Sequence, residues 1–251
     1  MSAISHTSPS PRSHPAELAA SRPPRSLYLQ RLEAQILASY AHNSLVYTTL
    51  AEVADLTAIT HFLRWDAEQP AFSVYLRRWL PKTPSLVRGE LEEHIRVEED
   101  ERHSQLFQEM LARLISAVPS EPTLDERVLE ELNYTFSARC AAEEDLGFFL
   151  GGFWATELMS AKRCHQLFLG LRRANLAPEE LTYLEIHFRC DASHGEEVRD
   201  KLILPMLEQT PSLLASVQRG VHDRLSRSAT YLRWYELERL PLSAPAGGGR
   251  T

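Results

Sequence analysis

Apolar residues recur along this chain at helical intervals and do not alternate with period two over any useful length. Leu32, Ile36, Leu37 and Tyr40 mark a first helical stretch, and a second runs from Leu45 to Trp65. A shorter amphipathic piece, Phe72 to Leu80, ends at Pro81, whose ring cannot continue a helix. Thr83, Pro84 and Ser85 then open a long helix with the stripe Leu91, Ile95, Leu106, Phe107, Met110 and Leu114, interrupted by Pro119 and Pro122. The next helix starts after Thr123, with Asp125 and Glu126 in the first turn where the helix dipole favours them, and carries Val128, Leu129, Leu132 and Phe136 towards Cys140. A joint at Gly147, Gly151 and Gly152 leads into a helix reaching Arg173, and Asn175 to Pro178 separates it from another that Pro205 and Pro211 bring to an end. A last helix runs from Ser212 to Glu238. The pattern predicts one all-α domain of about seven helices over residues 27–238. Residues 1–26, rich in Ser, Pro and Ala, and residues 239–251 read as a disordered leader and tail.

Polar residues that interrupt the apolar stripes carry the chemistry. His187, Asp191 and His194 fall on one helix, Asp191 about 40° from His187 and His194 about 20° from it on the other side. Tyr183, Leu184, Cys190 and Val198 share their phase, so this comb points inward. Glu157 is in phase with Leu146, Leu150, Phe153, Ala161, Cys164 and Phe168. A carboxylate there costs several kcal/mol unless a cation or a hydrogen-bond network compensates it. His103 is in phase with Ile95, Leu106, Phe107, Met110 and Leu114, and follows the acidic run Glu98-Glu99-Asp100-Glu101. Counting back along an unbroken helix, Glu99 or Asp100 shares its target, while Glu98 and Glu101 read as a solvated face. His94, His165 and His61 have lesser claims.

Composition narrows the class. A net charge of -7 and a pI near 5.8 argue against a nucleic-acid partner and point to a small-molecule substrate. No run approaches the length of a membrane span and the N-terminus lacks the apolar core of a secretory signal, so a cytoplasmic protein is expected. Cys140, Cys164 and Cys190 are widely spaced, which indicates neither a disulfide framework nor a zinc knuckle. Three imidazoles with three carboxylates suit a pair of iron or manganese ions better than one zinc, which needs fewer protein ligands.

The order of these residues is similar to that of the haem-oxygenase-like diiron oxidases and oxygenases. The likeness lies in EEHIRVEEDERHSQLF, ATELMSAKRCHQLFLGL and LEIHFRCDASH, and covers most of residues 45–210. It implies a haem-oxygenase-like bundle of about seven helices. It also implies a site holding a pair of Fe(II) ions, with dioxygen as cosubstrate, and N-oxygenation, oxidative decarboxylation or C–C cleavage of a small amine, amino acid or fatty acid. The implied ligands are His103, Glu157, His187, Asp191 and His194, with Glu99 or Asp100 as the first carboxylate. A further carboxylate from an earlier helix falls at Asp66 or Glu68, and pairing of two chains as a homodimer is a further implication. Two readings from other classes stay open: a cofactorless thiaminase-like helical enzyme using Cys190, and a noncatalytic helical module with a structural metal site.

Overall fold

A computed structural model describes residues 24–67, 72–100, 102–119 and 145–238. Among these residues every regular element is helical and there is no strand. In chain order they are α1 (Pro24–Ala38), α2 (Tyr40–Asn43), α3 (Leu45–Glu52), α4 (Leu56–Ala67), α5 (Phe72–Trp79), α6 (Ser85–Asp100) and α7 (His103–Ala117). After the gap come α8 (Leu146–Arg173), α9 (Thr182–Glu197), a π-helical stretch (Val198–Ile203), α10 (Leu204–Gln209) and α11 (Leu214–Glu238). The helix predicted after Thr123 lies outside the described residues.

The all-α class agrees with the sequence pattern, but there are more segments than seven, and local chemistry explains each extra break. Ser39 and Ser44 cap α2 and α3 by accepting from the backbone N–H of His42 and Val46, both at 3.2 Å. The stretch expected to run unbroken from Leu45 to Trp65 parts at residues 53–55, where the Asp55 carboxylate accepts from Ala58 N–H at 2.8 Å and starts α4. The long helix expected from Ser85 onward parts at Arg102, whose backbone is left-handed at φ 57°. Pro205 does not end the helix of the comb. The chain widens into the π-helical stretch before it, so the missing proline N–H falls at the first turn of α10, where none is needed.

The glycines expected to form a joint lie instead inside α8, the central helix, which packs along α9 and α11 and also meets α3. Their reason is close approach. A Cβ on Gly151 would stand 2.0 Å from the Val217 carbonyl oxygen, and one on Gly220 of α11 would stand 2.0 Å from that of Phe148. Asp145, the N-cap of α8, holds the same crossing: it accepts from Gly147 N–H at 2.9 Å and from the Arg219 guanidinium of α11 at 2.7 Å, and also binds the Ser216 hydroxyl.

Two apolar clusters build the core, and α8 serves both. Its residues from Phe149 to Met159 join Leu91 and Ile95 of α6 with Val198 and Leu202. Its residues from Cys164 to Leu171 join Phe107 and Met110 of α7 with Leu184 of α9. Phe148, Phe149, Phe153 and Trp154 are buried core residues, with Phe149 stacked on Trp79 at 4.8 Å. Glu157 falls on α8 where one cluster gives way to the other. Among the described residues no helix is long and apolar enough to cross a membrane.

Gly151→Ala is expected to lower stability by about 3 kcal/mol, a drop of roughly 10 °C in Tm, because its Cβ meets backbone that cannot rotate away. Gly89→Ala, with open space around its Cβ on α6, should raise stability by about 0.5–1 kcal/mol. Paired thermal melts by circular dichroism check both.

Candidate metal centre

Four helices send polar side chains into the seam between the apolar clusters. From α6 come His94 and Glu98, four residues apart and therefore on one face, continuing the buried stripe of Val87 and Leu91. His103 is the first residue of α7, Glu157 comes from mid-α8, and α9 supplies His187, Asp191 and His194. Gly195, next to His194, lets α9 come close to α8: a Cβ there would stand 2.5 Å from Leu158 Cδ2.

The donors form two groups. In the first, His94, Glu157 and His194 each offer an atom within 4.8 Å of the others. His94 Nε2 is 3.6 Å from Glu157 Oε1, and His194 Nδ1 is 3.7 Å from Glu157 Oε2 and 3.5 Å from Asp191 Oδ1. In the second, Glu98, His103 and His187 meet the same criterion, with His103 Nδ1 3.1 Å from Glu98 Oε2 and the His103 and His187 rings 4.6 Å apart. Asp191 belongs to the same helix face as His187 and His194 and is 2% exposed.

The helix backbone fixes the tautomer of His187. Its Nδ1 lies 2.8 Å from the Tyr183 carbonyl oxygen, which can only accept, so Nδ1 carries the proton and Nε2 is left as a lone-pair donor. Tyr183 also packs its ring 4.1 Å from that of His187. Burial pushes the Tyr183 phenol well above its ordinary range and keeps it neutral.

Charge in the first group is already divided. Burial opposes ionisation of Glu157, but the His194 and His94 imidazoles outweigh it and hold its carboxyl down at about 2. The Asp191 and Glu157 carboxylates push His194 up to about 11. Asp191 goes the other way: burial raises it, and the neighbouring Glu157 charge adds to that rise.

These residues fit a metal ion. The spacings of 3.6 and 3.7 Å in the first group exceed a hydrogen bond, and His94 Nε2, His194 Nδ1 and Asp191 Oδ2 are buried with no hydrogen-bond partner. Buried polar atoms are ordinarily satisfied. Two ligands on one first-row ion, each bonded at about 2.1 Å, stand about 3–3.5 Å apart, close to what is seen.

The geometry sets a different carboxylate against His103 from the two expected. Glu99 turns outward and binds Arg77, with Arg77 Nε 2.6 Å from Glu99 Oε1, and Asp100 accepts from exposed Arg96 at 2.7 Å. Glu98, read from the sequence as solvated, is the one set against His103. Counting back from His103 assumed one continuous helix, whereas left-handed Arg102 resets the phase between α6 and α7. His94, given a lesser claim by the sequence, is brought to Glu157 by the same periodicity, since positions 87, 91, 94 and 98 form one helical face. The Asp66 side chain, Glu68, Glu101, Tyr134, Arg139 and Cys140 lie outside the described residues. Arg189 pairs with Glu185 on the surface, Lys162 binds Asn43 Oδ1 at 2.7 Å, and Cys190 is half-buried beside the first group.

A helical bundle whose inward polar set is imidazole and carboxylate from several helices defines a metalloprotein class. The chain belongs to the iron-containing redox enzyme family, whose model matches residues 69–229, more than half of the sequence, and it is an iron-dependent oxidoreductase with a haem-oxygenase-like all-α fold. No curated protein matches it significantly.

Two outcomes follow from this geometry. Glu98→Gln should weaken iron binding by about tenfold or more while Glu99→Gln leaves it unchanged, as read by anaerobic ferrous titration. Because His194 is protonated in the metal-free protein at neutral pH and must be neutral to bind a metal, binding expels that proton. Affinity should therefore rise about tenfold per pH unit between pH 6 and 8, with proton release measurable in weak buffer.

Proposed function

We propose that the protein is a nonhaem diiron oxidase or oxygenase, using dioxygen on a small amine, amino acid or fatty acid. The observation that carries this reading is the pair of three-donor groups set side by side, His94–Glu157–His194 and Glu98–His103–His187, with Asp191 on the face shared by His187 and His194. A single structural ion would use one group and leave the other as an uncompensated buried set. Iron is the family's metal, and a pair of ions would supply the reducing electrons that dioxygen requires.

The chain's own contribution is geometry, charge and dryness. Glu157 stays ionised at any physiological pH and supplies a permanent negative charge at the centre of the bundle. His187 presents Nε2 through its tie to the Tyr183 carbonyl. Phe153 meets the His94 ring edge-on at 4.9 Å and backs the first group, while Phe107 packs on Tyr183 at 4.9 Å and shields the second group from water. The neutral Tyr183 phenol packs its ring on His187 of the second group.

Metal-free protein titrated anaerobically with ferrous ion, then mixed with oxygen under stopped-flow absorbance, tests the reading. Saturation near about two irons per chain and a transient visible band on oxygen addition are expected. One tightly held zinc that ignores oxygen, or no iron uptake, would overturn it.

A further inference from the structure

Among the described residues the first donor group is not sealed. A cleft of about 310 Å³ opens between α6 and the α9–π-helical segment, and His94 and His194 form part of its wall. That volume is at the lower end of small-molecule sites. Among the described residues Glu98, His103 and His187 take no part in the lining, so the cleft addresses one group and not the other. His94, with a side chain 8% exposed and Nε2 lacking a hydrogen-bond partner, is one of its lining residues.

The wall of this cleft is negative. Glu90, Glu93 and Glu197 line it, against Lys201. Lys201 Nζ is held 3.2 Å from Glu197 and 3.9 Å from Glu90, so it serves the wall's own carboxylates. Arg96, outside the lining, binds Glu93 but is shared with Asp100, which cancels its charge. Three carboxylates against one ammonium leave an excess of negative charge in a narrow opening, where low-dielectric walls focus the field.

We infer that this cleft is the entrance for substrate and that it selects molecules ending in a positive charge, an alkylammonium or guanidinium group, over free fatty acids, with Glu90, Glu93 and Glu197 as the selecting residues. The inference rests on the reading of the adjoining group as part of the iron centre. An anionic substrate meets like charge at the mouth, whereas a cationic one is drawn in and competes with Lys201 for its carboxylates.

Cys190, half-buried in the same wall, reports on the cleft directly. Full-length protein, metal-free and iron-loaded, is treated with 2-(trimethylammonium)ethyl or 2-sulfonatoethyl methanethiosulfonate. In each case the thiolate forms a mixed disulfide and methanesulfinate leaves. Peptide mapping gives the rate at Cys190, each rate divided by that for free cysteine. The cationic reagent should lead by at least about tenfold at low salt, and the lead should shrink towards unity in roughly 0.5 M salt and in the triple variant E90Q/E93Q/E197Q. In a second arm n-hexylamine should slow alkylation of Cys190 by iodoacetamide while hexanoate does not. Equal rates, a lead for the anionic reagent, or no reaction with either would overturn the inference, the last because the cleft would then not admit a molecule of this size. Cys190 reports with or without iron, so failure here is distinguishable from failure to bind iron.

Discussion

Carboxylates buried in a helical interior set the terms for this molecule. Glu157 and Asp191 lie buried and Glu98 half-buried among apolar side chains, where an isolated negative charge costs several kcal/mol and where the alternative is to take up a proton. The fold answers in three ways. Glu157 keeps its charge because two imidazoles face it, Asp191 is pushed towards the neutral form, and Glu98 meets His103 at 3.1 Å. Each answer requires that side chains from different helices arrive within a few ångströms of one another. The approach of α9 to α8 at Gly195 is therefore not incidental packing: it brings His194 and Glu157 within reach of each other. An iron ion would replace this internal compromise with a stronger counter-charge, which links metal occupancy to the stability of the bundle.

The two donor groups differ in surroundings although their donor types match. His94, Glu157 and His194 sit beside the cleft, with Phe153 at their back. Glu98, His103 and His187 sit against Phe107 and Tyr183 and away from the cleft. A centre built this way has an open side and a closed side. On the proposed reading, substrate approaches from the first and the second is protected from solvent.

The helical class and the inward comb of α9 were legible because each depends on one helix and its 3.6-residue period. Glu157 was legible for the same reason: a carboxylate in the middle of an apolar stripe needs no knowledge of its neighbours to stand out. The first carboxylate was not, because its assignment required knowing whether α6 and α7 form one rod. Arg102 carries no glycine to announce a left-handed backbone, so an arginine that ends a helix looks like one that continues it. Gly151 of α8 misleads in the opposite direction. Read locally it weakens a helix, and only the Val217 carbonyl oxygen of another helix, 2.0 Å from the missing Cβ, explains it. The cleft was invisible for a related reason, since Glu90 and Lys201 are brought together by the crossing of α6 with the π-helical stretch.

His187 takes its orientation from the main-chain carbonyl of Tyr183, one turn earlier on the same helix. An acceptor of that kind has no codon. Any residue at position 183 that keeps the helix keeps the acceptor, so the lone pair on His187 Nε2 is insulated from mutational drift. The aromatic wall beside it can therefore change without disturbing the direction in which that imidazole points.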